Sequence, residues 1–235
     1  MNTEKLSNRL EAVTNYIPHG ARIADIGSDH AYLPCYAIKK GIVPFAIAGE
    51  VVEGPYQSAK KQVKMEGLEN QISVRKGSGL EVISPGEVDC ITIAGMGGAL
   101  IASILEDGKS KLASVQRLIL QPNLSAISIR TWLIANGWEL IAEEILEEDG
   151  KIYEILAAEK GEPLKPYKNI EQGLLMGPFL MEQKSEVFQN KWLGEMKNWE
   201  RILLQLDKAA YSSETEKRKQ ELKEKIKMAE EVLEQ

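Results

Sequence analysis

Residues 22–34 read R-I-A-D-I-G-S-D-H-A-Y-L-P, and the fold follows from how this stretch is parsed. R-I-A-D-I is an apolar run of strand length that stops at Gly27. Residues 32–40 then read as a helix that Gly41 ends. Strand, glycine-bearing turn and helix in immediate succession open a β-α-β unit.

The alternation continues outward on both sides. Upstream, Leu6, Leu10, Val13 and Ile17 recur at helical spacing and predict a helix over 4–16, capped by Thr3 and stopped by Pro18 and Gly20. Downstream, strands are expected at 44–50, near 72–76, at 88–94 and at 116–121. Helices fill the gaps: one opened by Pro55 and closed by Gly67, others near 97–105 and 124–136. Strand-length apolar runs between helices imply a parallel sheet buried on both faces. The runs 138–147 and 151–158 then flank Glu148-Asp149-Gly150, and D-G between two such runs signals a hairpin. The expected fold class is α/β: a Rossmann-like parallel sheet closed by an antiparallel hairpin.

From Gly161 the composition shifts. Gly161, Pro163 and Pro166 mark a linker, and the sequence beyond it is helical up to Gln235, broken near Tyr211-Ser212-Ser213. Leu222, Ile226, Ala229 and Leu233 share one face of the last helix. Two long helices joined by a short turn predict a coiled-coil-like helical hairpin. Trp192 and Trp199 read as contacts within it. The 235 residues therefore divide into a domain over 1–160 and a helical appendage over 161–235, with no internal repeat.

Net charge is −6, which taken whole disfavours a nucleic-acid partner. By region the picture differs. Residues 1–138 carry +1, residues 139–159 carry −7, and residues 160–235 balance to zero. The acidity is one run on the predicted hairpin, while Lys39/Lys40, Lys60/Lys61/Lys64 and Arg75/Lys76 form basic clusters. An RNA face would avoid 139–159 and use Lys39, Lys40, Lys60, Lys61 and Lys64 together with the helical hairpin.

Several enzyme classes are excluded. Cys35 and Cys90 are too few for a disulfide scaffold or zinc ribbon, and His19 and His30 have no metal-ligand spacing, so no metal is expected. No phosphate-loop or nucleophile-elbow motif occurs. There is no membrane-length apolar run and no apolar leader, so a cytoplasmic location is expected.

The chemistry then rests on an organic cofactor. Asp25 and Gly27 sit between the first strand and its helix, where α/β folds bind nucleotide-like ligands. Glu50 ends the second strand, where a carboxylate can accept ribose hydroxyls. Gly77-Ser78-Gly79 follows the third strand and Ala94-Gly95-Met96-Gly97-Gly98 the fourth. A nicotinamide dinucleotide is the alternative, but Asp29 stands where a pyrophosphate would need small, neutral residues. A carboxylate there tolerates a sulfonium and an α-amino group, which selects S-adenosylmethionine. The closing hairpin agrees, since it matches the seven-stranded methyltransferase sheet.

D-I-G-S-D-H-A-Y-L-P (25–34), G-E-V-V-E-G-P-Y (49–56), G-S-G-L (77–80), T-I-A-G-M-G-G (92–98) and L-Q-P-N (120–123) together resemble the bacterial TrmK family, which makes 1-methyladenosine at position 22 of tRNA. The likeness spans the whole chain. It implies a class I methyltransferase that uses S-adenosylmethionine and acts on tRNA. Carried over, Asp25, Gly27, Ser28 and Asp29 would line the methionine end, Glu50 the ribose and Val51 the adenine. Gly77, Ser78 and Gly79 would approach the adenine edge, and Ala94, Gly95 and Met96 would pass beneath the sulfonium. Ser78 stands where many class I enzymes carry aspartate, and A-G-M-G-G replaces the N-P-P-Y-like motif of enzymes that methylate exocyclic amines. The same fold acting on another RNA or a small molecule, and a non-catalytic RNA-binding protein, are the competing readings.

Four residues are catalytic candidates. Asp29 either stabilises the cationic product base or only binds the cofactor's amino group. His30 either touches the target base or is satisfied by backbone. Gln121 and Asn123 follow the fifth strand, where their amides could pair with an adenine edge, or Asn123 could cap a helix. A monomer is expected.

Overall fold

The computed structural model describes residues 2–208 and 212–234. Met1–Pro166 and Tyr167–Gln235 form two compact units. The division falls after Pro166 rather than after Lys160. The chain beyond Lys160 stays tied to the first unit, because Glu139 accepts from the Glu162 N–H at 3.0 Å and from Lys165 at 2.8 Å.

The first unit contains α1 (Asn8–Asn15), β1 (Arg22–Ile26), α2 (Tyr32–Lys39), β2 (Phe45–Glu50), α3 (Glu53–Met65) and β3 (Ile72–Lys76). It continues with β4 (Cys90–Gly97), α4 (Gly98–Asp107), β5 (Arg117–Leu124), α5 (Ala126–Ala135), β6 (Trp138–Glu148) and β7 (Lys151–Lys160). Its sheet runs β3-β2-β1-β4-β5-β7-β6. The first five strands are parallel, and β7 pairs antiparallel with both β5 and β6. Ile23, Ile47, Ile91, Ile93, Leu118 and Ile119 are fully buried at its centre. Each such side chain contributes roughly 1.5–3 kcal/mol on leaving water. Asp149 (φ 51°) and Gly150 (φ 70°) both take the left-handed conformation that a two-residue hairpin turn requires.

The structure corrects several boundaries. α1 starts at Asn8, capped by the Ser7 hydroxyl, because Thr3 is turned away to donate to Glu66 at 2.6 Å. α3 opens two residues before Pro55, which sits within the first turn, where no intrahelical N–H is needed. β4 and β5 run on to Gly97 and Leu124, so Gly95 and Met96 lie in a bulged strand end rather than a turn, and Gln121 and Asn123 lie within β5.

Much of the acidic run is turned inward, although Glu147 and Asp149 remain exposed. Glu143 and Glu154 are buried against Arg130, which is itself fully buried. Glu159 accepts from the Arg117 Nε at 2.9 Å, Glu144 from the Tyr16 hydroxyl at 3.1 Å, and Glu148 from the Asn8 N–H at 2.6 Å. These carboxylates fasten the closing hairpin to α1, α5 and β5.

The second unit contains α6 (Ile170–Met176), α7 (Pro178–Gln183), α8 (Glu186–Leu206) and α9 (Ser213–Glu234). The first of the two expected long helices is thus broken into three, at Gly177 (φ 92°) and at Lys184 (φ 44°). Tyr211 lies outside the described residues. Phe188, Trp192 and Trp199 form one buried face of α8, with the two indoles 6.0 Å apart. On α9 the buried seam runs through Leu222, Ala229 and Val232 rather than ending at Leu233. Among the described residues no helix is long and apolar enough to cross a membrane, and no group of His, Cys, Asp and Glu is placed to hold a metal.

Replacing Arg130 leaves Glu143 and Glu154 buried without their cation. Arg130→Met is therefore expected to lose roughly 3–5 kcal/mol of stability. Urea unfolding measures this, and a loss below about 1 kcal/mol would refute the buried triad as a fastening.

Candidate functional site

β1 is flanked by β2 on one side and β4 on the other, so the strand order reverses beside it. Crevices at such a switch point, outside the carboxyl ends of the strands, are where open α/β sheets bind ligands. A cavity of about 250 Å³ lies there, lined on one side by Asp25, Gly27, Ser28 and Asp29 and on the other by Ala94, Gly95 and Met96. These are residues of the first and fourth strand ends that the sequence placed together.

Three consecutive non-glycine residues, Asp29, His30 and Ala31, have φ of 36°, 49° and 55°. Side chains disfavour this region, at roughly 1–2 kcal/mol per residue. The turn is held by backbone bonds from the Gly27 and Ser28 N–H groups to the Gly49 carbonyl, at 2.9 and 3.2 Å. The Asp29 N–H donates to Glu50 Oε1, and Ala31 is fully buried. Gly27 itself has φ 71°, and a Cβ on it would lie 2.2 Å from the Met96 methyl carbon. The missing side chain is what keeps this wall of the cavity open.

Asp25 is buried and accepts from the Ser28 and Thr92 hydroxyls, both at 2.6 Å. Burial nevertheless pushes its carboxyl up to about 6. Glu50 is also buried, and desolvation raises its carboxyl above the usual range. One Glu50 oxygen serves the Asp29 N–H, and a carboxylate has further lone pairs to accept hydroxyls. Val51 and Val52 beyond it are well exposed. The Asp29 side chain is 70% exposed at the cavity.

The structure relocates several expected residues. Gln121 is fully buried: its Oε1 accepts from Arg9 Nη1 and, at 2.9 Å, from the Gly95 N–H, while its Nε2 donates to the Pro122 carbonyl. With its amide engaged on three sides it braces the β4 bulge and does not read a base. Asn123 does not cap α5, which follows Ser125. Its Nδ2 donates to the Gly95 carbonyl at 2.7 Å, so both backbone groups of Gly95 are fixed by side chains of β5. His30 is not satisfied by backbone. It stacks on Tyr32 at 5.3 Å and lies 3.5 Å from the Asp29 carboxylate, nearly half exposed.

Gly77, Ser78 and Gly79 stand apart from the cavity. Gly77 donates to the Glu50 carbonyl at 2.9 Å, which ties the β3 end to the β2 end. Gly79 (φ 51°) has Ile104 at its open face, where a Cβ would be 3.0 Å away, so it serves close packing with α4. Ser78 is exposed, and its N–H donates to Glu81 at 2.9 Å.

The lysines also sort themselves. Lys39 is paired with Glu4 and, at 3.0 Å, with Glu66, so its charge is not free for RNA as expected. Lys40 lies over the Tyr36 ring at 5.4 Å. Lys60, Lys61 and Lys64 line an open groove of about 550 Å³ along α3 and β3. Arg9 and Tyr32 also line the cavity and were missed by the sequence reading. Arg9 stands on α1, far from any glycine turn, and nothing in its local pattern marks it.

The donor set fits a cationic, ribose-bearing ligand: acidic groups gather at the switch point, and the glycine wall admits close approach. The chain matches the TrmK family, described as tRNA (adenine(22)-N(1))-methyltransferase, over residues 23–231. It is 52% identical over 235 residues to the tRNA (adenine(22)-N(1))-methyltransferase of Bacillus subtilis, covering 99% of each chain. Its fold is similar to the crystal structure of Bacillus subtilis TrmK, with a TM-score of 0.95 at 52% identity over 97% of this chain and 99% of that one. A Streptococcus pneumoniae protein solved in complex with S-adenosyl-L-methionine is 46% identical, with a TM-score of 0.87 over 97% of this chain and 100% of that one. Sequence and structure thus agree along nearly the full length, and the chain belongs to the TrmK family of tRNA (adenine(22)-N(1))-methyltransferases.

Proposed function

We propose that this protein is an S-adenosylmethionine-dependent enzyme that methylates ring nitrogen 1 of adenine 22 in tRNA. The observation that carries this reading is the acidic, glycine-walled cavity at the switch point of a chain of this family. The cofactor supplies a methyl group on a sulfonium sulfur. Asp25, Ser28 and Asp29 would face its methionine end, with Gly27, Ala94, Gly95 and Met96 as the walls. Glu50 would hold the ribose and Val51 the adenine, with Gly77, Ser78 and Gly79 on the far side of that strand end. A nicotinamide dinucleotide is disfavoured by the carboxylate of Asp29 at the position its pyrophosphate would need.

The target nitrogen carries an in-plane lone pair and needs no base to deprotonate it. The protein's contribution is alignment, together with stabilisation of the positive charge that develops on the base. Asp29 is suited to the second task because its carboxylate is exposed at the cavity. Asn123 is suited to read the adenine amine, since its Nδ2 is spent on the Gly95 carbonyl and no donor among the described residues occupies its Oδ1. His30 and Tyr32 form an aromatic pair beside Asp29 on which a base can stack.

The RNA surface is the groove of Lys60, Lys61 and Lys64, whose lining also includes Glu69 but whose lysines form no ion pair among the described residues, together with the helical unit. The base must be unpaired or displaced to reach the cavity, so the rest of the tRNA needs a grip elsewhere. Steady-state kinetics separates the two roles. Asp29→Ala is expected to lower kcat roughly a hundredfold, the scale of removing one group that stabilises developing charge. Lys60/Lys61/Lys64→Gln is expected to raise KM for tRNA, flatten its salt dependence and leave kcat intact. Wild-type kinetics in either variant contradicts the corresponding role.

Asp25 gives the site a pH dependence. Its carboxyl titrates at about 6 in the free protein because it is buried, and a bound cation favours the ionised form. S-adenosylmethionine affinity should therefore be full above pH 6 and fall as pH drops below it, by up to about tenfold per unit. Asp25→Asn should flatten that profile. Calorimetric titrations between pH 5 and 8 check this, and a flat wild-type profile would remove Asp25 from the binding set.

A further inference from the structure

Gly95 is the least supported residue of the β4 end. It has no opposite residue on β5, because the register slips between Ala94, which faces Gln121, and Met96, which faces Pro122. A bulged residue of this kind loses its ladder hydrogen bonds, and a glycine at φ 79° has no side chain to limit its backbone. Two side-chain amides of β5 take the place of the ladder. Gln121 Oε1 accepts from the Gly95 N–H at 2.9 Å, and Asn123 Nδ2 donates to the Gly95 carbonyl at 2.7 Å.

We propose that Gln121 is a positioning residue for methyl transfer: through Gly95 it sets the Asn123 amide that meets the target base. The inference rests on the tRNA methyltransferase reading above. Gln121 is fully buried and does not meet the base itself. Its partners dictate its orientation: Oε1 faces two donors, the Gly95 N–H and Arg9 Nη1, while Nε2 faces the Pro122 carbonyl at 2.8 Å. The reversed amide would set donor against donor and carbonyl against carbonyl, leaving buried groups unpaired, so one orientation persists. Order then passes outward in two hydrogen bonds. The anchored Gly95 carbonyl takes Asn123 Nδ2, which leaves Asn123 Oδ1 as the outward acceptor. Asn123 is exposed, and among the described residues the Gly95 carbonyl is the one hydrogen-bond partner of its side chain. A free exposed amide presents donor and acceptor by turns. Held by Gly95 it presents the acceptor alone, the complement of the amine beside ring nitrogen 1 of adenine, where guanine carries a carbonyl. The buried glutamine thus favours both the alignment of the base and the choice of adenine.

A double-mutant cycle on methyl transfer to tRNA by the full-length protein tests this. Gln121→Met, of similar length and without an amide, is expected to lower kcat by roughly tenfold to a hundredfold, the scale of a reacting group misplaced by up to an ångström. KM for tRNA and the calorimetric affinity for S-adenosylmethionine should stay within about threefold, a split that a general loss of structure would not produce. Asn123→Ala should lower kcat on the same scale. Adding Gln121→Met to it should cost less than about twofold more, because the amide that Gln121 positions is already gone. Gln121→Glu keeps an acceptor for the Gly95 N–H and should recover part of the loss. If Gln121→Met does not fold, Gln121→Asn, whose amide is one methylene too short to reach Gly95, takes its place in the cycle. Wild-type kcat in a folded Gln121 variant, with only a lowered thermal midpoint, would overturn the proposal in favour of a purely structural brace. Losses that multiply in the double variant would overturn it in favour of an action apart from Asn123. If the wild-type protein transfers no methyl group to tRNA, the functional reading fails, a result distinct from either of these.

Discussion

The site depends on a backbone turn that its own residues disfavour. Between β1 and α2 the chain passes through Asp29, His30 and Ala31 in the left-handed region without a glycine among them. What stabilises the turn is the end of the neighbouring strand: the Gly49 carbonyl takes two N–H groups and the Glu50 carboxylate takes a third. Glu50 is thereby a structural acceptor in the turn with lone pairs left over, and the parallel register of β1 on β2 decides where they fall. Backbone strain of this kind persists only where the surroundings over-determine it, and such positions gather at functional sites.

A second layer of organisation is the use of charge inside the protein. The chain's net acidity comes from one run, and most of that run is fastened inward. Arg130 lies between two glutamates, Arg117 holds a third, and the N-terminus of α1 takes a fourth. Through Glu148 the hairpin positions α1, and α1 carries Arg9 into the cavity. The same arithmetic that seemed to argue against RNA therefore describes how the closing hairpin is attached, while Lys60, Lys61 and Lys64 form no ion pair among the described residues.

Much of this was legible in the sequence. The strand-turn-helix of residues 22–34, the carboxylate at Glu50 and the Asp149-Gly150 hairpin marked out a parallel sheet closed by an antiparallel pair, because periodicity and turn chemistry are local properties. What stayed hidden was non-local. The partners of Gln121 lie on α1 and β4, so its amide looked free for a base when it is a brace. The packing of Ile104 against Gly79 could not be read either, because the spacing does not show which helix meets that turn. Lys39 looked available because Glu4 and Glu66 reach it only in the folded chain. Arg9 was invisible for the same reason: its place in the cavity wall comes from where α1 docks, and nothing in residues 4–16 records that.

The reaction concerns one atom of one nucleotide, and product analysis reaches it directly. The wild-type protein should be incubated with unmodified tRNA carrying adenine 22 and with methyl-labelled S-adenosylmethionine, followed by nucleoside analysis and mapping of the modified position. The expected result is label in 1-methyladenosine at position 22, and none when adenine 22 is replaced by guanine. Label in N6-methyladenosine, at another position, or undiminished after that replacement would contradict it.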